Sequence, residues 1–345
     1  MNTGLSGSAL SSRSIVTTVQ VGISSALIGI LIGVVRGSGD FFLIEVLMGG
    51  LVGLVIGVGC SFLEFQFLSN ARLRFTRRLP PVLLMVLRAV SYSVVIIVGL
   101  ALPGLLTAAP PLWRDPEFAE VFVISAVVAF IISTGVEVTR LLGSEATLAL
   151  VTGRYNRARL EERVVLFADV VGSTALAERI GVLRFHDFLR DVSQDLAEPV
   201  ELARGDVYKY VGDAVIVTWP LARGVRKAAC LQCADRMHRA LRERSEAYLQ
   251  RYGAEAKLRV AIHCGAVAAG EVGDWKKEVA LLGDTMNTTA RIEAAAKHFG
   301  ARIALSEQLV RLLPESSRNT LRRLPDYDAA GKQERLVLWT SDQAI

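Results

Sequence analysis

Charge is scarce in this chain. Of its 345 residues, 21% are Asp, Glu, Lys or Arg, against about 25% in an average globular protein. Cysteine and histidine number four each, which excludes a disulfide-stapled scaffold and leaves little to build a zinc site from. Cys230 and Cys233 form a lone C-x-x-C with His238 nearby, but no second pair of ligands follows at zinc spacing. The strand-to-helix setting of a redox motif is also missing. Cys60 and Cys264 fall in apolar runs, as small buried hydrophobes do. The net charge of +5 is small and spread out. With no basic block interleaved with aromatics, nucleic acid is excluded as a partner.

What the chain has in excess is apolar residues, 52% of the total, with a mean hydropathy of +0.39. The charge deficit lies in the first 150 residues, which hold nine Arg and eight acids, whereas the other 195 hold 30 basic and 26 acidic side chains. A single soluble fold and a disordered chain are both excluded; the sequence describes two objects. Four stretches, near 15–35, 41–67, 82–108 and 118–142, reach the roughly 20 helical residues that a bilayer core requires. Between the second and third stand Arg72, Arg74, Arg77 and Arg78, while Arg114, Asp115 and Glu117 occupy the next connection. Positive charge marks the cytoplasmic side, so the Arg-rich loop and both termini are expected there, in agreement with Arg13 and Arg140. Three further spans behind the first argue for a retained anchor rather than a cleaved secretion signal. The expectation is a multi-pass protein of the plasma or inner membrane, with lipid around its first half.

Glycines recur every fourth residue at Gly29, Gly33 and Gly37, and again at Gly49, Gly53 and Gly57. Such spacing lets helix backbones approach closely, either within one four-helix unit or between two copies. Arg88, Glu64 and Glu137 fall toward the cytoplasmic ends of their spans. Arg88 with Glu64 or Glu137 would make an internal ion pair, but snorkelling of each side chain to the headgroups is the preferred reading. The spans lack the broken helices of a transporter.

The domains are expected as a membrane domain over 1–142, a cytoplasmic linker over 143–162 and a soluble domain over 163–345. The charge run from Arg154 to Arg163 reads as a solvated face. Beyond it the pattern predicts a strand at 164–167, a helix over 174–203 with a break at Gly181, and strands at 206–211 and 214–219. The pair Gly212-Asp213 between those strands is a strong hairpin signal. A long helix over 222–251 follows, then strands at 257–264, 266–272 and 278–282, a helix over 284–298, and short strands near 302–305 and 335–340. This order predicts an α+β, ferredoxin-like split unit with additions, behind an all-α four-helix transmembrane domain.

Four features of the second half carry chemistry. Asp169 ends the first strand in Phe167-Ala168-Asp169-Val170-Val171-Gly172-Ser173-Thr174. Asp213 lies in Lys209-Tyr210-Val211-Gly212-Asp213-Ala214. Asp284 opens a helix in Gly283-Asp284-Thr285-Met286-Asn287, and Asn287 and Arg291 share one face of it. Taken singly these are a turn residue, a cap and a helix face. Together, a strand end and a neighbouring hairpin bring the carboxylates of Asp169 and Asp213 close, where they repel unless a proton or cation intervenes. Hard oxygen ligands of this kind suit Mg²⁺ or Mn²⁺, and a helix-borne Asn and Arg supply donors of the sort phosphoryl transfer uses.

The runs 167–174, Gly205-x3-Lys209-x2-Gly212-Asp213 and Gly283-Asp284-Thr285-Met286-Asn287-x3-Arg291 resemble the three signature segments of class III nucleotide cyclases, in the expected order over 163–340. The resemblance implies conversion of ATP to 3′,5′-cyclic AMP and pyrophosphate by attack of the ribose 3′-hydroxyl on the α-phosphate. It implies that Asp169 and Asp213 bind two Mg²⁺ or Mn²⁺ ions and that Lys209 reads adenine. By the same resemblance Asn287 orients the ribose, Arg291 stabilises the transition state, and the backbone of Val170, Val171, Gly172 and Ser173 meets the phosphates. Lys276 and Lys332 match phosphate-contacting positions. The family's sites form between two catalytic domains, so one complete set of residues implies a homodimer. One position departs from the pattern: Ala280 stands where the family places Asp or Thr to partner the base, which leaves a guanylate or relaxed-specificity cyclase as the alternative. A catalytically silent receptor or dimerisation module is a further alternative, which the retention of Asp169, Asp213, Asn287 and Arg291 opposes. The hairpin lacks the Gly-Gly-Asp/Glu-Glu-Phe of a diguanylate cyclase.

Overall fold

The computed structural model describes residues 12–36, 42–64, 81–107, 118–143, 147, 149, 152–275, 277–327 and 336–341. The chain divides into two compact units, Met1–Glu137 and Val138–Ile345.

The first unit is helical: α1 (Ser12–Arg36), α2 (Phe42–Leu63), α3 (Pro81–Thr107) and α4 (Phe118–Leu142). Among the described residues, three helices are long and apolar enough to cross a membrane, over Thr18–Val35, Phe42–Leu63 and Phe118–Gly135. The third expected span is α3, whose described stretch Val86–Leu102 is apolar apart from Arg88. Large apolar side chains such as Leu31, Leu43, Leu47 and Ile131 point outward, an arrangement that water does not favour.

The glycine spacing joins α1 to α2 of the same chain. A Cβ at Gly29 would lie 2.0 Å from the Gly49 carbonyl oxygen, and one at Gly49 would lie 2.3 Å from that of Gly29. Gly53 likewise faces the Ser25 carbonyl at 2.2 Å. Of the two readings of these glycines, packing within one unit is the one observed. Snorkelling of Arg88 and Glu64 is overturned. Both are buried, and the Arg88 guanidinium donates to Glu64 Oε1 at 3.1 Å while the Tyr92 hydroxyl donates to Oε2 at 2.6 Å. An unpaired charge at that depth costs more than the pair, so α2 and α3 satisfy one another. The side chain of Glu137 lies outside the described residues.

The second unit is built on an eight-stranded sheet: β1 (Arg159–Val170), β2 (Asp206–Val211), β3 (Ala214–Pro220), β4 (Leu258–Val272), β5 (Glu278–Leu282), β6 (Ile303–Ser306), β7 (Leu321–Arg323) and β8 (Leu338–Ser341). Its order is β2-β3-β1-β4-β6-β8-β7, with β5 paired to β4. The stretch β2-β3-β1-β4 is antiparallel throughout and reproduces the ferredoxin-like order expected from the sequence. The longer helices beside the sheet are α5 (Ser173–Ile180), α6 (Val182–Leu202), α7 (Ala229–Glu243), α8 (Ser245–Tyr252) and α9 (Asp284–Phe299).

Alternation along the central strands divides the core. Val164, Leu166, Ala168 and Val170 of β1, with Leu258, Val260, Ile262 and Cys264 of β4, join the main cluster beside Phe188, Trp219, Met237 and Tyr248. The other face of the sheet, with Phe167 and Ala261, packs on Ile292, Ala295 and Ala296 of α9. Gly181, at φ 82°, separates α5 from α6 as expected. The long helix over 222–251 is instead broken, at Lys227 and Ala228, which adopt left-handed φ of 51° and 52°, and again at Arg244.

Most of the charge run is a solvated face, with Arg154, Arg157, Arg159 and Glu162 exposed, but its last residue turns inward. β1 begins at Arg159, inside the expected linker, and Arg163 is 1% exposed. Its guanidinium donates to Glu161 Oε2 at 2.8 Å, Tyr155 Oη at 3.0 Å and Thr218 Oγ1 at 3.1 Å. Burial works against the Glu161 carboxylate, but Arg163 and Arg154 overcome it and hold the group below its usual range. Tyr155 packs with Ala149, Val267, Ala269 and Leu281 in a third small core.

Candidate active site

The strand register creates the acidic pair. Ala168 of β1 is level with Val215 of β3, so the next step along β1 carries Asp169 toward Ala214 and the turn residue Asp213. Gly212, at φ 60°, turns the chain there. Burial, then the charge of Asp213 and a hydrogen bond with it, push the Asp169 carboxyl up from its usual 3.8 to about 6. The register puts the two acidic residues side by side at the strand end, and two hard oxygen donors so placed fit a divalent cation. Among the described residues no group of three His, Cys, Asp or Glu suited to a metal occurs. Ions held here would draw their other ligands from water and substrate.

The cation beside Asp169 is Arg259, which the sequence reading passed over. It lies directly opposite Asp169 in the β1–β4 register and reaches Asp169 at 3.7 Å and Glu293 of α9 at 3.2 Å. Arg259 is 7% exposed and its Nε is buried without a hydrogen-bond partner. The available signal was a lone Arg in the otherwise apolar run from Leu258 to Ile262.

Lys209 stands on β2, where its Nζ donates to Glu278 Oε1 of β5 at 3.1 Å. Asn287 and Arg291 lie one turn apart on α9, Asn287 exposed and Arg291 half-buried. In the turn after β1, Val170 is still in the strand, opposite Leu258, and the Val171 N–H already donates to the Lys257 carbonyl at 2.9 Å. The free N–H groups therefore begin at Gly172, at φ 72°, and Ser173, the first residue of α5. Lys276 and Lys332 lie outside the described residues. Cys230 and Cys233 are buried in the main core, and burial pushes both thiols up to about 12, which suppresses the reactive thiolate.

Comparison with known proteins gives the family. Residues 156–340 match the family model described as the adenylate and guanylate cyclase catalytic domain. "Adenylate cyclase 2" of Rhizobium meliloti (strain 1021) is 32% identical over 323 residues, covering 90% of this chain and 88% of that protein. This chain belongs to the class III adenylate/guanylate cyclase family. The similarity to that rhizobial relative runs through both halves of the cyclase. An adenylate cyclase of Anabaena cylindrica is 29% identical over 166 residues, covering 46% of this cyclase and 32% of its own length. The speract receptor of Strongylocentrotus purpuratus is 34% identical over 136 residues, 38% of this chain and 12% of its own. In fold, the cyclase resembles a bacterial light-regulated adenylyl cyclase with a TM-score of 0.55 at 16% identity, over 67% of each chain. The α+β catalytic fold behind apolar helices and the enzyme class are thereby established.

Proposed function

We propose that this cyclase is an integral-membrane adenylate cyclase converting ATP to 3′,5′-cyclic AMP and pyrophosphate. The observation that carries the reading is the Asp169–Asp213 pair, folded together at a strand end although its charges repel. Mg²⁺ or Mn²⁺ ions, two per site, would be held by these two residues and would supply charge neutralisation and an acidified 3′-hydroxyl. Arg259 keeps a fixed positive charge beside Asp169 and offsets part of the repulsion. The N–H groups of Gly172 and Ser173, at the opening of α5, face the phosphates, with Lys276 and Lys332 as further phosphate contacts. Lys209 reads the base and Asn287 orients the ribose. Arg291 stabilises the charge that develops as the 3′-oxygen bonds to the α-phosphorus and pyrophosphate departs.

Two copies of the chain complete the site in this reading, one contributing Asp169 and Asp213, the other Lys209, Asn287 and Arg291. The outward apolar faces of α1, α2, α3 and α4 anchor the dimer in the membrane, with the Arg72–Arg78 loop and the catalytic domain in the cytoplasm. The segment 143–158 ahead of β1 carries any signal between the halves. Ala280 favours a second reading, a cyclase of relaxed base selectivity, since a methyl group offers no acceptor.

The test is an assay of the full chain in native membranes with ATP or GTP and Mg²⁺ or Mn²⁺. Cyclic AMP as the main product, abolished by Asp213→Ala without loss of fold, is expected. Cyclic GMP as the main product overturns the substrate assignment. A folded dimer inactive on both nucleotides points to the silent module.

A further inference from the structure

We propose that Lys209 and Glu278 form one base-reading unit, in which Glu278 accepts the hydrogen bond from the exocyclic amino group of adenine that Ala280 cannot accept. The proposal rests on the cyclase reading above and extends it to a residue outside the family pattern.

Three observations place the two side chains together by construction. β2 and β5 are not neighbours in the sheet, since β2 pairs with β3 and β5 with β4. The β2–β3 register slips between Val207 and Lys209, a bulge of the kind that re-aims side chains beside functional sites. The bulged residue, Tyr208, packs with Val279 and Leu281, and its hydroxyl accepts a hydrogen bond from the Leu281 N–H at 3.0 Å. This clamp draws β5 onto β2. Alternation then puts Glu278 and Ala280 on the strand face opposite Val279 and Leu281, and Lys209 meets Glu278 at 3.1 Å with both side chains nearly half exposed. An ion pair so open contributes little to stability, but it is accessible to a planar ligand.

A lysine offers donors only. It therefore satisfies the ring N1 of adenine and the O6 of guanine equally well, and Lys209 alone does not select between them. Discrimination needs an acceptor, which meets the 6-amino hydrogen of adenine and repels the 6-oxo group of guanine. Sites that hydrogen-bond a substrate group reject the analogue that lacks it far better than apolar ones do. The ammonium of Lys209 and the carboxylate of Glu278, side by side, present donor and acceptor to the two adjacent positions of the adenine edge. The nearest alternative acceptor position on that strand face is Ala280, which has none.

The experiment uses the full chain in native membranes and measures kcat/KM for ATP and for GTP in the parent, in Glu278→Ala, and in the double variant E278A/A280D. The ATP-to-GTP ratio is expected to fall at least tenfold in Glu278→Ala and to recover in the double variant, where the acceptor returns two residues along the same face. A merely structural role would lower both activities and leave the ratio unchanged. A ratio within twofold of the parent, with cyclic AMP still forming, overturns the proposal while the cyclase reading stands. A ratio that rises in favour of ATP assigns Glu278 to guanine and also overturns it. Absence of any cyclic nucleotide from the parent chain overturns the proposal together with the reading it rests on.

Discussion

Replacing Asp213 by Asn separates what the acidic pair does for the reaction from what it costs the fold. The Asp169 carboxyl rises from 3.8 to about 6, and about 1.4 kcal/mol per pH unit makes this a penalty of roughly 3 kcal/mol on the ionised site. Burial is its leading cause and Asp213 the next, so removing the Asp213 charge returns on the order of 1 kcal/mol. A carboxyl raised in the folded state destabilises the fold above its unfolded value. The penalty is absent below pH 4, grows between pH 4 and 6, and is constant above. Asp213→Asn should therefore melt about 3 °C higher than the parent at pH 8 in the absence of divalent ions, with no difference near pH 4. Magnesium at a hundred times its dissociation constant should raise the parent's stability by about 2.7 kcal/mol and leave the variant unmoved. Thermal unfolding of the full chain in detergent, followed by Trp219 and Trp339 fluorescence, reads all three quantities. A variant less stable than the parent at pH 8, or one still stabilised by magnesium, would refute the reasoning.

Further outcomes follow from other parts of the structure. Arg291→Ala should lower kcat by about 10²–10³ with little change in KM, as steady-state assays will show; a change in KM alone would place Arg291 outside the transition state. Gly49→Val drives a side chain into the Gly29 carbonyl and should loosen α1 from α2, seen as faster proteolysis of the detergent-solubilised chain. Arg163→Met leaves the Glu161 charge half-buried without its main partner and should cost about 3–5 kcal/mol, whereas adding Glu161→Gln should recover most of it in the same melt. His238 is 6% exposed, and burial, with Arg302 beside it, pushes its pKa down from 6.5 to about 4. Stability should then fall as pH drops through that window, by up to roughly 3 kcal/mol, and His238→Leu should flatten the profile. Asp169 acts in the opposite direction over the same range, so the two variants need separate pH series.

The parts of the fold legible in the sequence are those with a local cause. Gly212-Asp213 marked the hairpin and Gly181 the break between α5 and α6, because a left-handed or irregular backbone favours glycine. The neighbouring places of Asp169 at a strand end and Asp213 in the adjoining hairpin follow from strand order. What escaped notice depends on distant partners. The left-handed turn at Lys227 and Ala228 has no glycine or proline to announce it. The burial of Arg163 within an otherwise exposed charge run escaped notice because its partners Glu161, Tyr155 and Thr218 surround it only once the sheet has formed. Arg259 was hidden inside an apolar strand and gains meaning from Asp169 across the register and from Glu293 on a helix 34 residues away.

The Arg88–Glu64 pair bears on how the protein is made. In the membrane reading proposed above, a helix bearing a lone Arg inserts at a cost of up to about 3 kcal/mol, and α3 carries Arg88 as such a residue. If α2 waits at the insertion machinery until α3 arrives, Glu64 neutralises Arg88 before either meets lipid. In the orientation proposed above, the two helices would then partition as a hairpin, and the connection of Arg72, Arg74, Arg77 and Arg78 would not be translocated. A ribosome paused before α3 emerges should hold α2 less securely than the finished chain does, and Glu64→Leu should leave α3, not α2, as the segment that fails to enter.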